Sequence, residues 1–69
     1  KQETKITGFI MGSGMIYSVT LNGYLIASSA TSGKVEFFKK IGEPITMPPI
    51  IVNGKLYILT ENSRILGFN

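Results

Sequence analysis

Residues 12–29 and 52–69 overlay without a gap at an offset of 40. Such an internal repeat limits a chain to architectures built from one small unit used more than once. Gly14, Tyr17, Thr20 and Asn22 recur as Gly54, Tyr57, Thr60 and Asn62. Ile16/Leu56, Val19/Leu59, Leu25/Ile65 and Ile26/Leu66 are conservative pairs in the same register. Upstream, Ile6-Thr7 matches Ile45-Thr46 at an offset of 39, which places one extra residue near Pro48-Pro49.

The repeated unit reads as strands. Ten Ile, three Val and six Thr in 69 residues favour pleated sheet, because β-branched side chains lose rotamer freedom in helices. The eight glycines leave no comfortable window for a three-turn helix. Short apolar runs between turn signals predict all-β structure. Asn22-Gly23 and Asn53-Gly54 both suit two-residue type I′ hairpins, whose central residues take positive φ. Gly12-Ser13-Gly14, Asn62-Ser63 and Thr31-Ser32-Gly33 mark the other reversals.

About seven short antiparallel strands follow. Ile6–Met11, Met15–Leu21, Tyr24–Ser28 and Lys34–Lys40 form a first set of four. Ile50–Val52, Lys55–Thr60 and Arg64–Phe68 form a second set whose fourth strand is missing. Along Lys34–Lys40, Val35 and Phe37 are expected on one face, with Lys34, Glu36, Phe38 and Lys40 on the other. Met15–Leu21 and Lys55–Thr60 are apolar on both faces, which calls for material above and below the sheet. A period of about 40 residues holding four strands is the signature of a β-propeller blade. The expected architecture is therefore a partial propeller of about one and three-quarter blades, over 6–40 and 45–69. A complete small barrel of the SH3 or OB type would explain the strand count but not the repeat.

Within the first unit, Gly23, Leu25, Ala27, Ala30, Gly33 and Lys34 fit the blade repeat of pyrroloquinoline-quinone (PQQ)-type propellers, roughly D-G-x-L-Y-A-L-D-A-x-T-G-K-x-x-W. The segment resembles that family. Asn22 stands for Asp in the hairpin, Ser32 for Thr and Ile26 for Tyr; Ser29 replaces the usual second Asp, and Phe37 the docking Trp. The stretch Pro49 to Tyr57 is similar to the family's run of Pro, apolar residues, D/N-G and V/L-Y. The resemblance spans roughly Ile6 to Phe68 and implies one of two functions. One is a non-catalytic protein-interaction scaffold, like the propeller lipoproteins of outer-membrane β-barrel assembly. The other is a PQQ-dependent quinoprotein dehydrogenase that oxidises alcohols or sugars with bound PQQ and calcium. The missing Asp and Trp favour the scaffold. Either would imply the bacterial periplasm.

The residues themselves supply little chemistry. Cys, His, Trp and Asp are absent, so neither a disulfide, a nucleophile–base pair nor a Cys/His zinc site is available. Glu3, Glu36, Glu43 and Glu61 are the carboxylates, and no acid–base or metal role is assigned to them. Gly12-Ser13-Gly14 and Ser32-Gly33-Lys34 lack phosphate-loop or dinucleotide spacing and read as turns. Phe37-Phe38 beside Lys39-Lys40 cannot form one nucleic-acid patch, since strand neighbours point to opposite faces; the lysines are better read as guarding an edge. Tyr17 and Tyr57 are expected to pack between blades. No catalytic, cofactor-binding or metal residue is assigned.

The charge of +3, from seven Lys and Arg (Lys1 among them) against four Glu, favours solubility more than it points to a partner. Neither a membrane span nor a signal peptide is legible. The opening Lys is read as the start of an excised or processed segment. Expected partners are neighbouring blades, or further copies meeting at open edges such as Arg64–Phe68, with other proteins possible and nucleic acid not.

Overall fold

The computed structural model describes residues 5–68. Lys1 and Glu3 lie outside the described residues, as does Asn69, the repeat partner of Ser29. The described chain is all-β. Strands β1 (Ile6–Gly12), β2 (Met15–Thr20), β3 (Tyr24–Ser29) and β4 (Val35–Lys40) form one antiparallel sheet in chain order. Strands β5 (Ile50–Val52), β6 (Lys55–Leu59) and β7 (Ile65–Phe68) form a second, also in chain order. Neither sheet closes into a barrel.

Turn chemistry fixes each register. Ser13-Gly14 and Asn53-Gly54 have φ of 54° and 77°, and of 52° and 78°, as a two-residue type I′ loop requires. Asn22-Gly23 departs from that expectation. Only Gly23 has positive φ, at 89°, and the connection is the three-residue run Leu21–Gly23. Buried Thr20 explains the difference. Its hydroxyl donates to Asn22 Oδ1 at 2.6 Å and accepts the Tyr24 N–H at 2.9 Å, which spends Asn22 as a side-chain acceptor inside the turn. Buried Thr60 repeats the device, accepting the Arg64 N–H at 3.2 Å on its hydroxyl and the Ser63 N–H at 3.0 Å on its carbonyl. There Ser63 holds the left-handed position at φ 64°, where the first turn has Gly23.

Strand β4 corrects a second expectation. Val35 pairs with Ser28 and Phe37 with Ala27, so Glu36 is bulged out of the ladder. Because Ser28 and Ala27 point to opposite faces, the bulge also puts Val35 and Phe37 on opposite faces. Every residue of β4 is exposed, since this outer strand extends past the smaller second sheet. Strand β5 has three residues where β1 has seven, because Pro48 and Pro49 have no N–H to offer a ladder.

The core lies between the sheets. Val19 and Leu25 from the first sheet meet Leu56 and Ile58 from the second. Ile45 completes the cluster at 0% exposure although it belongs to no strand. The Thr7 hydroxyl donates to the Ile45 carbonyl at 2.6 Å and ties that loop to β1. Glycines set the spacing. A Cβ on Gly8 would lie 2.6 Å from Pro48 Cα, and one on Gly12 2.6 Å from Ile51 Cδ1. Each sheet is thus covered on one side only, where the double-faced apolar patterns of β2 and β6 called for cover on both.

Candidate interaction surface

The repeat and the sheet registers together define three related surfaces. Ile10, Tyr17, Val19, Leu25 and Ala27 share the face of the first sheet that meets the second. Their equivalents are Ile50, Tyr57, Leu59, Ile65 and Gly67, which share the face of the second sheet turned away from the core. Ile51, Leu56, Ile58, Leu66 and Phe68 share the second sheet's inward face. Their equivalents are Met11, Ile16, Ser18, Ile26 and Ser28, on the first sheet's outward face.

Burial is reciprocal at several of these equivalent positions. Val19 and Leu25 are 0% exposed, whereas Leu59 and Ile65 are 39% and 71% exposed. Ile45 is 0% exposed, whereas Ile6 is 55% exposed. The internal contact joins one face of the unit to the opposite face of the next, a head-to-tail arrangement. Its two halves recur, uncovered, on the outside.

These outward faces are apolar. The first sheet presents Phe9, Met11, Val35 and Phe38, and the Tyr24 and Phe38 rings meet edge to face at 6.1 Å. The second presents Met47, Ile50, Leu59 and Ile65 around a hollow of about 220 Å³. Among the described residues twelve large apolar side chains are exposed against six apolar residues in the buried core, which makes these faces the candidate surface. Tyr17 packs on the core, while Tyr57 faces outward with its ring over Gly67.

Other candidate chemistry stays dispersed. Glu36 and Glu61 are exposed, and no cluster of three or more His, Cys, Asp or Glu side chains forms among the described residues. Phe37 and Lys39 lie on one face of β4, Phe38 and Lys40 on the other, so the aromatic and basic pairs do not combine. The seam between the sheets leaves a cleft of about 130 Å³ beside Tyr17, Phe37 and Phe68. That is well below the roughly 300–1,000 Å³ of small-molecule sites. No helix of the described residues is long and apolar enough to cross a membrane.

One polar pair was not legible in the sequence. Half-buried Glu43 accepts a hydrogen bond from the Arg64 guanidinium through Oε2, while Oε1 is buried without a partner among the described residues. The nearby Thr60 hydroxyl is the largest influence holding the Glu43 carboxyl below its ordinary value of 4.5. Burial opposes it; Arg64 and Asn62 reinforce it. A carboxyl lowered on folding stabilises the fold above its unfolded value, and that contribution is lost as pH falls through the folded value. Glu43→Gln is therefore expected to flatten the acid limb of a urea-midpoint profile below pH 4.5, with little change in its shape near neutrality.

No protein-family model matches the chain, and a search of curated proteins finds no significant relative.

Proposed function

We propose that the chain is a structural segment of a PQQ-like β-propeller that serves as a non-catalytic protein-interaction scaffold. The observation that carries this reading is the reciprocal burial at repeat-equivalent positions. A unit that packs its own front on its neighbour's back continues on both sides, and a ring of such units is a propeller. Two details of the first unit support the family resemblance. Ser29, where the repeat usually has Asp, accepts the N–H groups of Thr31 and Ser32 on its hydroxyl, both at 3.3 Å, as an Asp side chain would. Gly33, at the repeat's usual glycine, takes φ of 75°.

In this reading the apolar faces are blade-to-blade contacts, and partner proteins meet the loops and outer strands. The quinoprotein dehydrogenase implied by the same resemblance is tested by titrating the full-length protein with PQQ and calcium under a fluorescence readout. A scaffold gives no saturable binding. A saturable isotherm with a calcium requirement would overturn the scaffold and assign the dehydrogenase.

A further inference from the structure

We infer that, wherever no further repeat of the same polypeptide covers them, a second copy of this chain occupies both outward faces, docking head to tail so that the outward side of one copy's four-stranded sheet covers the outward side of the next copy's three-stranded sheet. The inference rests on the stacked-repeat reading above and names its partner and surface. The contact already exists once inside the molecule. There, Leu56 and Ile58 with Ile45 sit against Val19 and Leu25. In the intermolecular version, Ile16 and Ile6 occupy the positions of Leu56 and Ile45, and Leu59 and Ile65 those of Val19 and Leu25. These four substitutions keep an apolar side chain in place, while Ser18 stands at the position of Ile58 and Ser28 at that of Phe68, so the intermolecular contact is less apolar than the internal one.

The rim is consistent with this docking. Lys40 lies opposite Tyr24 on the outermost strand, and Lys55 opposite Val52 at the end of β6, so both charges stand at the margins of the faces they share. Phe9, Phe38 and Met11, at 61%, 67% and 61% exposure, extend the first face toward both of its edges. Because the two docking faces differ, association is heterologous and gives a ring or an open stack rather than a two-fold dimer.

The test is sedimentation velocity of the 69-residue chain over a range of concentrations, with two blocked variants. Phe38→Glu disables the four-stranded face and Ile65→Glu the three-stranded face. Both side chains are exposed, so each variant is expected to keep the wild-type circular dichroism spectrum and melting profile; should either lose them, Phe9→Lys and Leu59→Lys take their places. Wild type is expected to grow in mass with concentration, each variant alone to remain monomeric, and a 1:1 mixture to form a heterodimer through the one intact pair of faces. A wild type monomeric at millimolar concentration, variants that assemble as wild type does, or a mixture that stays monomeric would each overturn the inference. Assembly through the open edge of β7 falls under the second of these outcomes. The propeller reading stands or fails separately, on the cofactor titration and on the repeats of the full-length protein.

Discussion

Gly23→Ala is expected to cost about 2–4 kcal/mol of folding stability, from left-handed backbone strain and overpacking together. Both causes act at one position. Gly23 has φ of 89°, where a Cβ crowds the following carbonyl. An added Cβ would also lie 2.7 Å from the Glu43 carbonyl oxygen and 2.9 Å from its nitrogen, and backbone atoms cannot swing away as a side-chain tip can. The Gly23 carbonyl moreover accepts the N–H groups of Ile41 and Gly42, at 2.7 and 3.2 Å, so retreat would break the bonds that hold the start of the β4–β5 connection against this turn. Gly33→Ala is the control. Its φ is 75° with nothing within 4 Å of the added carbon, so strain alone should cost about 1 kcal/mol. Thermal melts at matched low concentration should place Gly23→Ala lowest, by roughly 10 °C or more relative to wild type. Equal losses at the two glycines would show that the Glu43 contact does not constrain the fold.

Ile45→Ala is expected to cost about 2–5 kcal/mol, the range for truncating a large aliphatic side chain in a packed core. Ile45 is 0% exposed among Val19, Leu25, Leu56 and Ile58, and no neighbour in so thin a core has slack to fill the void. A chain of this length has roughly 3–10 kcal/mol of total stability, so the variant should give up a large share of it and show a markedly lower urea midpoint. The urea midpoint is the measurement, and Ile65→Ala, at 71% exposure in the monomer, is its counterpart, expected within about 0.5 kcal/mol of wild type. A small loss at Ile45 would mean that the two sheets fold independently of their shared core.

Strand existence and order were legible because two independent signals agreed: β-branched runs with turn residues between them, and their recurrence 40 residues later. What escaped the sequence was whatever depends on a partner segment. Asn22-Gly23 carries the best two-residue hairpin signal, yet Thr20 captures the Asn side chain and lengthens the turn. The phase of β4 flips at Glu36, since a bulge leaves no mark in an alternation read strand by strand. Ile45 lies in a Pro-rich stretch without strand pattern, and its match to Ile6, itself 55% exposed, carried no sign of its burial. The Glu43–Arg64 pair joins residues whose nearness follows from the docking of loop on sheet, which no local pattern encodes. The outward faces were visible as doubly apolar strands. Which half of each would be left uncovered required the three-dimensional pairing.

The two prolines before β5 bear on how a chain of this kind tolerates changes in length. In a meander every ladder is set by its own adjacent turn, so an inserted residue is harmful only where it falls inside a ladder and flips the faces beyond it. Pro48 and Pro49 stand just outside the β5–β6 ladder, with Pro49 buried and Ile45 anchored before them. The extra residue of the second repeat falls between those two fixed points, where no donor is displaced and no face changes side. Drift in repeat length can therefore collect at this joint while the sheets on either side keep their phase.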